Sequence, residues 1–222
     1  MQRLAKGLHH FQNQIFSSHK ELFERLEKHG QAPETLFITC SDSRIDPNLV
    51  TQAGPGDLFI LRNVGNLVPR FDPGDSTAAG IEFAVAALKV KDIVICGHSN
   101  CGAMQALVDP ATLRGLPAMQ AWMSRASGTK RLVQENYADL EGEARLTATV
   151  EENVLVQLEN LREHPSVAAA IEAGALALHG WVYKIQTGEV FAYDALQAQF
   201  MALSNEGVAP LDEAHRTRDL GI

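Results

Sequence analysis

A thiol, a carboxylate and a guanidinium occupy alternate positions in Cys40-Ser41-Asp42-Ser43-Arg44. An imidazole and a second thiol stand three apart in Gly97-His98-Ser99-Asn100-Cys101-Gly102. His98-x-x-Cys101 is a spacing at which one tight turn can offer two donors to a metal ion, and Cys40 would be the third. Two thiolates and one imidazole suit zinc, which takes sulfur readily and tolerates a tetrahedral site. Three protein ligands leave a fourth position. Water there would have its pKa lowered to about 7, giving hydroxide at neutral pH. Asp42 is close enough along the chain to take that position itself, or to accept a hydrogen bond from the water. Arg44 can hold Asp42 in a bidentate ion pair that fixes its direction and keeps it ionised.

Other chemistries of Cys, Arg and Gly fit less well. A cysteine phosphatase needs a loop between Cys and Arg long enough to wrap phosphate oxygens with backbone N–H groups. Here Ser41, Asp42 and Ser43 are too few, and Asp42 has the wrong charge. Residues 97–102 lack the Lys of a phosphate-binding loop, and no Cys-x-x-Cys redox pair occurs. Cys96 is flanked by apolar residues and reads as core. His9, His10, His19, His29, His164, His179 and His215 stand in polar or helical contexts and are not read as ligands.

The two turns can act together only if the fold brings them together. Residues 35–40 read as a buried strand, and Asp46-Pro47 as the cap and first residue of a following helix. Residues 55–61 read as a second strand after a Pro-Gly turn, and 62–69 as loop. Ser76 or Thr77 can cap a helix over 77–88. Residues 92–98, nearly all apolar, suit a central parallel strand covered on both faces. Helices are expected at 102–108, about 117–137, 143–163 and 166–173, the last closed by Gly174. Residues 175–185 and 190–193 flank a tight turn, a strand pair extending the sheet. Strand–helix alternation implies an α/β fold: a mostly parallel sheet flanked by helices, with right-handed crossovers. Sites in such sheets form beyond the carboxyl ends of the strands, where both turns lie.

Ahead of the sheet, Leu4, Leu8, Phe11 and Ile15 mark one helix by their spacing. Ser18-His19-Lys20-Glu21 reads as a capping box for a second, stopped by Gly30. Residues 1–30 are thus an N-terminal helical arm appended to an α/β core that spans 31–222. The arm could fold back on its own sheet or cross a partner chain. The chain of 222 residues carries a net charge of −8, which argues against nucleic acid and anionic membrane as partners. No apolar run approaches the roughly 20 residues of a membrane span, and residues 1–7 lack the core of a secretory signal. Three cysteines give no disulfide framework, so a cytosolic protein with reduced thiols is expected, free or within a microcompartment.

These motifs, with Arg62-Asn63-Val64-Gly65-Asn66 between them and His179-Gly180-Trp181-Val182-Tyr183 after them, resemble the β-class carbonic anhydrases. The bacterial cyanate-linked and cyanobacterial carboxysomal members are the nearest in kind. The resemblance implies zinc on Cys40, His98 and Cys101, Asp42 and Arg44 as the catalytic dyad, and reversible hydration of carbon dioxide to bicarbonate through zinc-bound hydroxide. It implies a homodimer or dimer of dimers, with the arm embracing the neighbour and the cleft at the interface. Gln31 resembles the amide that hydrogen-bonds bicarbonate. Phe59, Val64, Phe83 and Gly102 match positions lining the cleft, with Phe83 where a Tyr is common. Arg62 and Tyr183 stand where a second bicarbonate site of some members would want them, but Phe37 stands in place of its Trp. The expectation is therefore the open form, with Asp42 on Arg44 and not on zinc.

Overall fold

Residues 36–38, 58–61 and 93–95 are runs of branched and aromatic side chains, which pack well on a pleated surface. In the computed structural model, which describes residues 1–203, they lie in strands β1 (Thr35–Cys40), β2 (Leu58–Asn63) and β3 (Asp92–His98). With β4 (Ala177–Tyr183), β5 (Val190–Asp194) and β6 (Gln199–Ala202) they form one six-stranded sheet in the order β2-β1-β3-β4-β5-β6. The pairs β1–β2, β1–β3 and β3–β4 are parallel, and β5 and β6 return antiparallel. The expected α/β architecture is present, and β6 adds a strand that the sequence reading did not assign.

The arm comprises α1 (Gln2–His10), which runs on through a π-helical stretch (Phe11–Ile15) and a short turn, and α2 (Lys20–His29). Then follow α3 (Pro47–Thr51), α4 (Ser76–Glu82), α5 (Gly102–Val108), α6 (Pro117–Met123), α7 (Ser127–Asn136), α8 (Gly142–Arg162) and α9 (Pro165–Glu172). The long α8 crosses β3 and β4 at two glycines. A Cβ on Gly97 would sit 2.9 Å from Val154 Cγ2, and one on Gly180 2.9 Å from both Val154 Cγ1 and Leu158 Cδ1. That close approach buries Val150, Val154, Leu158 and Leu161 against Ile93, Ile95 and Leu178 in the main core. The other sheet face carries a smaller cluster of Phe37, Ile45, Val94 and Cys96. Cys96 is core, as its setting implied. Among the described residues no helix is long and apolar enough to cross a membrane.

Several local readings differ from what forms. The Ser18 capping box is absent: Ser18 Oγ donates to Ile15 O at 2.8 Å, so the preceding turn has taken the hydroxyl, and α2 starts after His19. Asp75, not Ser76 or Thr77, caps α4 by accepting from Thr77 N. β2 begins at Leu58 and runs through Arg62 and Asn63, which the turn-rich composition had marked as loop. Pairing of Thr39 with Arg62 and of Cys40 with Asn63 decides this, a tertiary effect that local composition does not carry. The helix expected over 117–137 is broken by a 3₁₀ turn at Ser124–Ala126. The tail from Ser204, with His215, lies outside the described residues.

Candidate metal centre

β1 and β3 are adjacent and parallel, so Cys40 at the end of one and His98 at the end of the other emerge side by side. Cys101 follows three residues later, at the cap of α5. The donor atoms of Cys40, His98 and Cys101 lie within 4.8 Å of one another, and all three residues are buried. His98 Nδ1 lies 3.0 Å from Ser99 O. A carbonyl only accepts, so Nδ1 carries the proton and Nε2 the lone pair. That Nε2 is buried with no hydrogen-bond partner.

The two sulfurs face each other within 4.8 Å. The Cys101 thiol holds Cys40 below the ordinary thiol range against the opposing effect of burial, and the Gly65 amide pulls the same way. Cys101 is pushed up, first by its bond to Cys40 and then by burial. A divalent cation fits this set: an unpartnered imidazole nitrogen and two sulfurs that need share only one proton. Binding would release that proton.

Asp42 is held as expected by Arg44. Its Oδ1 accepts from Arg44 N and Nε at 2.9 Å each, and its Oδ2 from Nη2 at 2.7 Å. These bonds keep the carboxyl well below the usual carboxylate range. Arg44 Nη2 also donates to Asn100 O at 3.0 Å, so one guanidinium ties the two turns together. Asn100 has φ of 53°, the left-handed conformation that this tight turn requires. Asp42 Oδ2 stands 3.8 Å from His98 Nε2, facing the cluster without leaving Arg44.

Arg62 does something the sequence did not reveal. It donates from Nε to Cys40 O at 3.0 Å, and from Nη2 to Asp42 O at 2.7 Å and Ile45 O at 2.9 Å. It is a clamp on the backbone of the first turn. A second missed feature is a polar stripe, Asn153, Gln157, Asn160 and His164. These side chains bond Gly65 O, Val68 N, Val68 O and Pro69 O, pinning the loop behind the cluster. Their spacing of four, three and four is a helical face, and that was the available signal.

Residues 35–190 match the carbonic anhydrase family. The chain belongs to the β-carbonic anhydrases. It is 47% identical to a carbonic anhydrase of Synechocystis sp. over 91% of this chain and 74% of that relative. It is 45% identical to one of Pseudomonas aeruginosa over 92% of each. The solved β-carbonic anhydrase CcaA superposes with a TM-score of 0.88 at 47% identity, covering 91% of this chain and 98% of that one. Family membership makes the chain a lyase and implies carbon dioxide hydration.

The residues expected to line a cleft are only partly gathered within one chain. Val64, partly exposed, adjoins Gly65, whose N–H meets Cys40 Sγ. Gly102 follows Cys101, and a Cβ on it would meet nothing within 4 Å, leaving space beside the cluster. Gln31 precedes β1, so the strand's length, about 16 Å, separates it from Cys40. Phe59 is near the start of β2 and pairs with Phe83 at 5.9 Å, well away from the carboxyl end.

Proposed function

We propose that this chain hydrates carbon dioxide reversibly to bicarbonate and a proton, with one zinc ion held by Cys40, His98 and Cys101. The buried, unpartnered His98 Nε2 facing two sulfurs carries the reading. Zinc there would supply Lewis acidity, making water a competent nucleophile at neutral pH. Asp42, kept ionised by Arg44, can only accept a hydrogen bond, so the group it faces must be an O–H donor. A hydrogen bond accepted by Asp42 would orient such a donor for the reaction. Arg44 keeps the carboxylate from rotating onto the metal, and Arg62 keeps the turn that carries both. The open space at Gly102 and the apolar side chain of Val64 would admit a small uncharged molecule, and the Gly102 backbone would steady the product.

The same proposal assigns residues 1–30 as an arm on a second copy and 31–222 as the catalytic domain. Nothing in α1 or α2 is buried, and Leu4 and Leu8 are 71% and 56% exposed, an apolar stripe awaiting a partner. Gln31, Phe59 and Phe83, too far from their own cluster, would line the cleft of the neighbouring subunit. Hydration rate and zinc content measured on one sample test the metal reading. Cys101→Ser should lose zinc and activity together, and full hydration by metal-free protein would overturn it. Deletion of residues 1–30 should give monomers with reduced activity, and an active monomeric full-length protein would overturn the interface.

A further inference from the structure

The loop at Gly65, whose amide meets Cys40, is held by residues that the proposed chemistry does not use. Gly65 N donates to Cys40 Sγ at 3.3 Å. The carbonyl of that same peptide unit, Val64 O, accepts from Trp122 Nε1 at 2.7 Å. The next carbonyl, Gly65 O, accepts from Asn153 Nδ2 at 3.0 Å. Asn153 is buried, and its orientation is determined: its Oδ1 accepts from Gln157 Nε2 at 3.0 Å and from Thr129 Oγ1 at 3.2 Å, leaving only its NH₂ to face Gly65. Gly65 has φ of +83°, and a Cβ on it would come 3.0 Å from Ala103 Cβ. Trp122 therefore braces the peptide whose N–H ends on Cys40 Sγ, and Asn153 braces the peptide that follows it.

We propose that Trp122 is a positioning residue: through the Val64–Gly65 peptide its indole N–H sets the hydrogen bond on Cys40 Sγ, and so the electron density that Cys40 gives to the metal. This rests on the reading of Cys40, His98 and Cys101 as a metal centre. Donation to Val64 O polarises the peptide and strengthens its N–H as a donor. An N–H on a thiolate stabilises the sulfur lone pairs and orients the side chain. Partners one shell out from a metal typically change affinity or activity by about 10–100-fold when removed. The indole ring also packs on the core beside Cys40 and Cys101, so only removal of the N–H with the ring kept isolates the hydrogen-bond path.

The test uses the full chain loaded with Co²⁺ in place of zinc, and separately with zinc. Trp122→Phe keeps an aromatic ring and removes the N–H. Its sulfur-to-cobalt charge-transfer band should move to lower energy, because Cys40 sulfur has lost stabilisation. Its zinc should pass to a chelator roughly 10-fold faster, because Cys40 is less firmly oriented. A benzothienyl analogue of tryptophan at position 122, the same shape without N–H, should give the same result and serves if the Phe variant unfolds. Arg125→Gln removes the guanidinium stacked 5.2 Å from the Trp122 ring but leaves the indole N–H, and should leave the band where it is. A folded, N–H-free variant with the wild-type band and release rate would overturn the inference. Failure of the metal reading would show elsewhere, as unmutated protein that takes up no stoichiometric cobalt or zinc.

Discussion

Arg62 makes three hydrogen bonds from one side chain, and all three acceptors are carbonyls of the Cys40–Ile45 turn. Removing it leaves the turn that carries Cys40, Asp42 and Arg44 without its external brace. A charged donor contributes about 1.5–3 kcal/mol per hydrogen bond in a protected setting. These bonds are partly exposed and two of them share Nη2, so about 1 kcal/mol each is a fairer figure, or about 3 kcal/mol together. In a domain of this size each kcal/mol moves Tm by about 2–4 °C, so Arg62→Gln should lower Tm by about 6–12 °C. A displacement of about 1 Å in a reacting group can cost about 100-fold, so the hydration kcat/KM should fall by up to that factor. Arg62→Lys should show most of both losses, because one ammonium cannot span three carbonyls in the plane of a guanidinium. Stopped-flow hydration and calorimetry on the same preparations read both effects. An Arg62→Gln protein with wild-type Tm and rate would refute the clamp.

Gly97→Ala places a methyl 2.9 Å from Val154 Cγ2 and 3.1 Å from Val150 Cγ1, and should cost about 1–3 kcal/mol by overpacking. Urea unfolding should show a lower midpoint at unchanged slope, and Val154→Ala in the same chain should recover part of the loss. Tyr137 OH donates to Glu152 Oε1 at 2.7 Å, and that bond, with burial, pushes the phenol up to about 12. A raised pKa means the stabilisation is full below the ordinary phenol value of about 10 and is lost as pH rises through the folded-state value. Phenolate absorbance should therefore show a transition near 12 that disappears in Tyr137→Phe, and its survival in the variant would refute the assignment.

Much of the chain's chemistry could be read without coordinates because it is carried by short, contiguous segments. β1, β3 and α5 form at the residues expected, since apolar runs end at them in Cys40-Ser41-Asp42 and His98-Ser99-Asn100. Asp46 and Pro47 cap and open α3 because both preferences are local. The ion pair of Asp42 with Arg44 is likewise local, two residues apart on one turn. Parallel alternation then made the meeting of Cys40 with His98 and Cys101 a matter of topology.

What stayed hidden depends on partners distant in sequence. Arg62 looked like loop because nothing nearby reveals that its strand pairs with β1 and that its guanidinium reaches back 22 residues to Cys40 O. Asn153, Gln157, Asn160 and His164 share a helical spacing, but nothing local shows that the loop 64–69 is laid against them. Trp122 Nε1 finds Val64 O across 58 residues. The sequence alone determined the candidate ligand types, the strand-end positions of Cys40 and His98 and the pairing of Asp42 with Arg44. Tertiary structure decided which backbone groups are aimed at them, because a hydrogen bond needs its donor placed within tenths of an ångström, and only the packed fold sets that distance.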